Sequence, residues 1–144
     1  MAKTGALPCY ENQFQTGASA ESLNEIADME TFSVKIDNGV EEWSPYDAEG
    51  WAKRLMTAKS ITISLSGKRN YGDTGNDYIA NKFMKNGQDA NGFFQWTFPN
   101  GDKLLFADAV FNVTNLGIGK STEVGPLECD IMSNGKPDYI NAAG

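Results

Sequence analysis

The chain has 144 residues, 19 acidic against 12 basic, and a formal charge of −7. That balance argues against nucleic-acid binding by phosphate neutralisation, and the absence of histidine removes the commonest general base and the commonest transition-metal ligand together. Three Trp, eight Phe and five Tyr supply core volume for one domain without a metal or disulfide.

Residues 1–27 are rich in Gly, Ala, Ser, Asn and Glu without a sustained period, and are expected to form an arm that orders on a partner. No apolar stretch long enough for a signal peptide or membrane span follows the opening Met-Ala-Lys-Thr, so a cytoplasmic chain without membrane association is expected. From Met29 to Asp37 the residues alternate, Phe32, Val34 and Ile36 against Thr31, Ser33, Lys35 and Asp37. Asn38-Gly39 then reads as a tight hairpin turn, because both residues tolerate positive φ. Residues 40–59 show no clear period, yet carry Trp43, Tyr46, Trp51 and Arg54, side-chain types enriched at interface hot spots. Their acidic start (Glu41, Glu42) and basic end (Lys53, Arg54, Lys59) would let one copy meet the opposite charge on another.

Ser60 to Lys68 is the most regular stretch of the chain. Ile61, Ile63 and Leu65 alternate with Ser60, Thr62, Ser64 and Ser66, which predicts a strand with one face on a core. Its other face is hydroxyl-rich and nearly uncharged, where an ordinary surface strand mixes Lys, Glu and Thr. Asp73 or Thr74 caps a predicted helix of about three turns. Asp77 stands in its first turn, Ile79 and Phe83 share one face, Lys82 and Lys85 sit near the end, and Asn86-Gly87 stops it.

Phe94, Trp96 and Phe98 alternate in the next strand, and Pro99-Asn100-Gly101-Asp102 turns it into a long strand from Lys103 to Asn115. Leu105, Ala107, Ala109, Phe111 and Val113 are expected on its main apolar face, with Leu104, Phe106 and Val110 opposite. Val124 to Ser133 reads as the last strand, with Glu128 and Asp130 outward and Cys129 buried beside Leu127 and Ile131; a short tail follows. A bridge from Cys129 to Cys9 is disfavoured in a reducing compartment. The order hairpin, strand, helix, hairpin, strand predicts a mainly β fold, two packed antiparallel sheets in a sandwich or barrel flanked by one helix.

Several motifs have simpler readings. Asp73-Thr74-Gly75 matches the tripeptide of aspartic proteases, but a helix pattern follows it, so capping is preferred over catalysis. Gly117-Ile118-Gly119-Lys120-Ser121 ends like a phosphate-binding loop but leads to a strand and lacks the first glycine, and so reads as a turn. Asn112-Val113-Thr114 matches a glycosylation sequon inside a strand. Asp28, Glu30, Glu41 and Glu42 match no calcium-loop spacing. No catalytic residue, cofactor site or metal site is assigned, and no enzymatic activity is expected.

Taken in order, several segments resemble the tail tube (major tail) proteins of tailed bacteriophages. They are Trp51 to Ser60 running into Ile61 to Arg69, Gly72-Asp73, Asn76 to Ala80, Trp96 to Gly101, and Asp130 to Pro137. The resemblance covers residues 29–141, and its order and spacing carry it more than any single segment. It implies one tail-tube domain over residues 1–144, with residues 38–59 as the inter-ring loop. It also implies hexameric rings stacked into a hollow tube that conducts DNA, a fold shared with the haemolysin-coregulated tube protein of type VI secretion. The inner sheet would comprise Thr31 to Asp37 and Ser60 to Lys68, which makes Ser33, Lys35, Asp37, Thr62, Ser64, Ser66 and Lys68 the lumen-facing residues, with acids of residues 28–42 near the rim. Implied partners are further copies of the chain, tail terminator, baseplate and tape-measure proteins, and DNA in passage without specific binding. The implied location is the virion tail, assembled in the bacterial host cytoplasm. The alternative is a β-sandwich binding module of a baseplate or glycan-recognition type, with Trp43, Tyr46 and Trp51 as a stacking platform.

Overall fold

Eight antiparallel strands and one short helix build the chain, in a computed structural model that describes residues 4–117 and 119–141. In chain order these are β1 (Gln13–Gly17), β2 (Asn24–Glu25), β3 (Met29–Trp43), β4 (Lys53–Lys68), α1 (Thr74–Ala80), β5 (Asn91–Thr97), β6 (Lys103–Asn115), β7 (Pro126–Met132) and β8 (Asp138–Ile140). Hydrogen bonds join all eight into one sheet, ordered β2-β1-β5-β6-β7-β4-β3 with β8 also on β6.

The sheet folds over itself at β6. The first part of that strand pairs with β5 and β8, and the second part with β7. The changeover comes at Val110, which pairs with both Asn91 and Met132, and just before it Asp108 takes a left-handed φ of 55°, opposite a register shift between Gly92 and Phe94 on β5. A bulge of this kind inserts a residue, bends the strand and lets its two parts serve two layers. Phe14 on β1 and Phe32 on β3 belong to distant strands of the sheet, yet their rings sit edge to face at 4.9 Å, and Phe32 meets Trp96 of β5 at 5.6 Å. The two predicted sheets are thus the two layers of one folded sheet.

The same bulge corrects the predicted faces of β6. Leu104 and Phe106 point inward before it, and Ala109, Phe111 and Val113 after it, so Leu105 and Ala107 leave the expected apolar face. Ile63, Leu65, Leu127, Cys129 and Ile131 meet Phe94 and Phe106 across the interior, all at 2 % exposure or less. Truncating any of the large ones to Ala would cost about 2–5 kcal/mol. Ile79 and Ala80 of α1 join this core beside Tyr78, whose ring stands edge to face on Phe111.

Several expectations are corrected by the ladder itself. Asn38-Gly39 is no turn: β3 runs through it to Trp43, paired with β4 from Asn38–Lys59 to Trp43–Lys53. The reversal comes instead at residues 44–52, where Glu49 and Gly50 take the left-handed φ values of 52° and 89°. Residues 38–59 are therefore a projecting hairpin rather than an irregular loop. The N-terminal stretch is not a free arm in its described part, because β1 lies between β2 and β5 and buries Thr16, whose hydroxyl donates to the Phe93 carbonyl at 2.8 Å. Residues 1–3 lie outside the described residues. The expected tail forms β8 on the edge of β6, and the last long strand spans only Pro126–Met132.

The helix is shorter than predicted. Seven α residues pass into a 3₁₀ turn at Asn81–Met84, which leaves Phe83 and Met84 exposed. Asp73 caps it as expected, accepting from Asn76 N at 3.0 Å and also from Ala27 N at 3.1 Å. In the Gly117 to Ser121 motif, Ile118 lies outside the described residues; Glu123 N donates to Lys120 O in a turn, and β7 follows. Both cysteines are free thiols, Cys9 exposed and Cys129 buried.

Candidate functional site: a hydroxyl-rich sheet face and a projecting arm

Register places the candidate lining residues together. Ser33 pairs with Ser64, Lys35 with Thr62, and Thr31 with Ser66, while Phe32–Leu65 and Val34–Ile63 occupy the core side of the same rungs. Side chains alternate across a strand, so the first set shares the outer face of the β3-β4 pair. All seven candidates from Ser33 to Lys68 stand on this one surface.

On the far side of β4, β7 continues it. Ser64 pairs with Asp130 and Ser66 with Glu128, and the Ser64 hydroxyl donates to Asp130 Oδ1 at 2.7 Å. Asn115 Nδ2 donates to Glu128 Oε2 at 2.9 Å from the end of β6. These two acids were legible as outward-facing, but nothing in their own segment says which face they join; only the β4–β7 register brings them beside the serines.

Charge on the face is paired where it is basic. Lys35 Nζ lies 3.7 Å from Asp37 Oδ1, and Lys68 Nζ lies 3.5 Å from Glu30 Oε1. Exposed pairs of this kind contribute little stability, about 0–1 kcal/mol. Their consequence is electrostatic: both lysines are neutralised locally, while Glu128 and Asp130 leave the surface net negative.

Beyond Asn38 and Lys59 the hairpin leaves the body. A bulge between Gly39 and Val40 shifts its register, after which Val40 faces Met56, Glu41 faces Leu55, and Glu42 faces Arg54. Arg54 Nε donates to Glu42 Oε2 at 3.1 Å. Trp43, Leu55 and Met56 are exposed, Trp51 is 78 % exposed and Tyr46 fully so. Trp43, Tyr46, Trp51 and Arg54 thus gather on the outer part of one arm. Val40, Leu55 and Met56 belong with them and were missed, because the bulge breaks the alternation that would have revealed them. Together they form an exposed apolar surface along the arm.

Among the described residues the layer β3-β4-β7-β6 has an open edge on each side. β3 pairs only with β4, and the part of β6 from Phe111 onward pairs only with β7. Unpaired edges of this length are templates for another strand. The layer β3-β4-β7-β6 therefore offers one smooth polar face bounded by two free edges.

No protein-family model and no curated protein matches the chain. Solved structures do. A chain from the tail of an empty gene transfer agent particle, determined with C6 symmetry, superposes with a TM-score of 0.74 at 15% identity, over 94% of this chain and 100% of that one. A chain from the sheath/tube terminator of the extracellular contractile injection system PVC gives 0.65 at 14% identity, over 97% and 100%. A chain from the tube-terminating cap of the anti-feeding prophage gives 0.65 at 13% identity, over 99% and 95%. All three come from tails or injection machines, and the chain has their common fold, the tail-tube fold.

Proposed function

We propose that this chain is the structural subunit of a phage-tail-like tube, in which six copies close a ring and rings stack into a conduit for DNA. The observation that carries the reading is the layer β3-β4-β7-β6, a polar face between two free edges, within a tail-tube fold. Pairing the β3 edge of one copy with the β6 edge of the next removes both edges and wraps the face into an inner wall. Ser33, Lys35, Asp37, Thr62, Ser64, Ser66 and Lys68 then line the lumen with Glu128 and Asp130. A hydroxyl-rich, net-negative wall has few cations to release counterions from DNA, so the strand slides without sticking.

On this reading the hairpin of residues 38–59 makes contacts between rings. Further partners are the terminator, baseplate and tape-measure proteins of the same tail, and assembly takes place in the bacterial host cytoplasm. The glycan-module alternative is less well supported, since Tyr46 and Trp51 project from an arm, a geometry suited to docking rather than to enclosing a sugar.

Negative-stain microscopy of the concentrated protein tests the proposal. Six-fold rings and tubes are expected; a protein that stays monomeric, with and without tail extract, overturns it. Two of the matched chains come from structures of a tube terminator or terminating cap, and single rings that never stack would assign the chain a capping role instead.

A further inference from the structure

We infer that the tip of the arm of one copy seats in a groove at the base of another copy's arm. This rests on the tube reading and names the contact that would join its subunits. The groove is an open cleft of about 600 Å³ between the start of the core part of β4 and the turn after β7. Ile61 and Pro137 form its apolar wall, and Lys59 and Lys136 flank it without an acid among its lining residues. The wall is rigid where it matters: Ile61 N donates to Ser133 Oγ at 3.0 Å, and Ser133 N returns a bond to the Ile61 carbonyl at 2.9 Å. Lys59 is held in place by donating to Asn38 Oδ1 at 3.0 Å.

The arm tip has the complementary form. Residues 44–52 carry Tyr46 and Trp51 as convex aromatic knobs, with Asp47 and Glu49 between them and no basic residue. A 3₁₀ turn at Tyr46–Ala48 presets the loop, so little conformational entropy is lost on docking. Aromatic knobs of this size bury roughly 150–250 Å² each and are the usual anchors of an interface. Two lysines around an apolar groove match two acids around aromatic side chains in both chemistry and sign.

The tip cannot reach the groove of its own chain. The arm is laddered rung by rung from Lys53 to Lys59, which separates tip from base by roughly 20 Å at the rise of a strand. Knob and groove are different surfaces, so the contact is heterologous and propagates from copy to copy until a ring closes or a filament grows.

The test is intermolecular cross-linking in a Cys9→Ser background. Asp47→Cys protein is mixed with Lys136→Cys protein, co-assembled, oxidised and run on a non-reducing gel, with microscopy in parallel. A covalent dimer from the mixture, absent from either variant alone, is expected. Tubes without that dimer overturn this contact and leave the tube reading standing; monomers throughout overturn both. Charge reversal provides a second measurement. K59E/K136E is expected to lose assembly while keeping its circular dichroism, and mixing it with D47K/E49K is expected to restore alternating contacts between the two. Wild-type assembly by K59E/K136E alone would overturn the inference.

Discussion

The carboxamide of Asn76 donates to the backbone carbonyl of Lys68 at 2.9 Å, which fastens the start of α1 to the end of β4. Asn76 is wholly buried, and its other polar bonds are all satisfied within the protein. Nδ2 also reaches Ala27 O at 3.1 Å, and Oδ1 accepts from Asn70 N and Arg69 Nη1, each at 3.0 Å. One amide side chain thereby ties three segments together. Asn76→Ala would leave several buried backbone groups without partners, at a cost of roughly 3 kcal/mol. Urea denaturation is expected to show that loss with an unchanged m value.

Gly75, one residue earlier, has no room for a side chain. A Cβ there would sit 2.2 Å from the Glu25 carbonyl oxygen, a backbone atom of β2. Gly75→Ala must therefore push α1 off the sheet. A destabilisation of about 2 kcal/mol or more is expected, read as a lower Tm than that of Gly125→Ala, where the added atom meets nothing within 4 Å.

The two thiols should behave differently. Burial, reinforced by neighbouring Asp130, pushes the Cys129 thiol up to about 12 from its ordinary 9.0, so almost none is thiolate near neutral pH. In native protein at pH 8 a thiol reagent is expected to modify Cys9 alone, and both residues after denaturation. Because the folded state favours the protonated thiol, its contribution to stability is complete below pH 9 and falls as pH rises from about 9 toward about 12. Cys129→Ala removes that dependence, as denaturation curves at pH 8 and pH 10.5 would show.

On the proposed tube reading, charge on the polar face governs whether DNA sticks to it. Thr62→Lys with Ser64→Lys places two new cations on the wall, beside Asp130. Variant tubes are expected to retain DNA at low salt and release it as salt rises, while wild-type tubes retain none. Equal retention by both, measured by co-sedimentation, would count against the lumen assignment.

Trp51→Ala separates assembly from folding. The side chain is 78 % exposed at the arm tip, so the monomer should keep its melting temperature within about 2 °C, a surface substitution costing within ±0.5 kcal/mol. Tube formation should be lost or need several-fold higher concentration, as pelleting would show.

Alternation alone was enough to reveal the most regular parts of the molecule. Ile61, Ile63 and Leu65 point inward because period 2 is a property of the strand and needs no partner to be read. The Asp73 cap and the turn after Phe98 were equally visible, since both depend on a few neighbouring residues. The Asn38-Gly39 turn failed for the opposite reason. Its local preference lost to a ladder that runs unbroken in direction from Met29–Gly67 to Trp43–Lys53, and the glycine lies opposite a bulge at Thr57 instead. β1 was invisible because its longer ladder is with β5, which begins more than seventy residues later, while β2 beside it is only two residues long. Likewise the bulge at Asp108 exchanges which residues of β6 face inward, and no residue pattern within the strand announces it. The candidate site divides along the same line. A hydroxyl face on β4 could be read from its own residues, whereas Glu128 and Asp130 beside it, and the groove formed by Lys59, Ile61, Lys136 and Pro137, exist only because the folded sheet brings distant segments together. Local periodicity reports which face of an element is apolar; which elements become neighbours is decided by long-range packing.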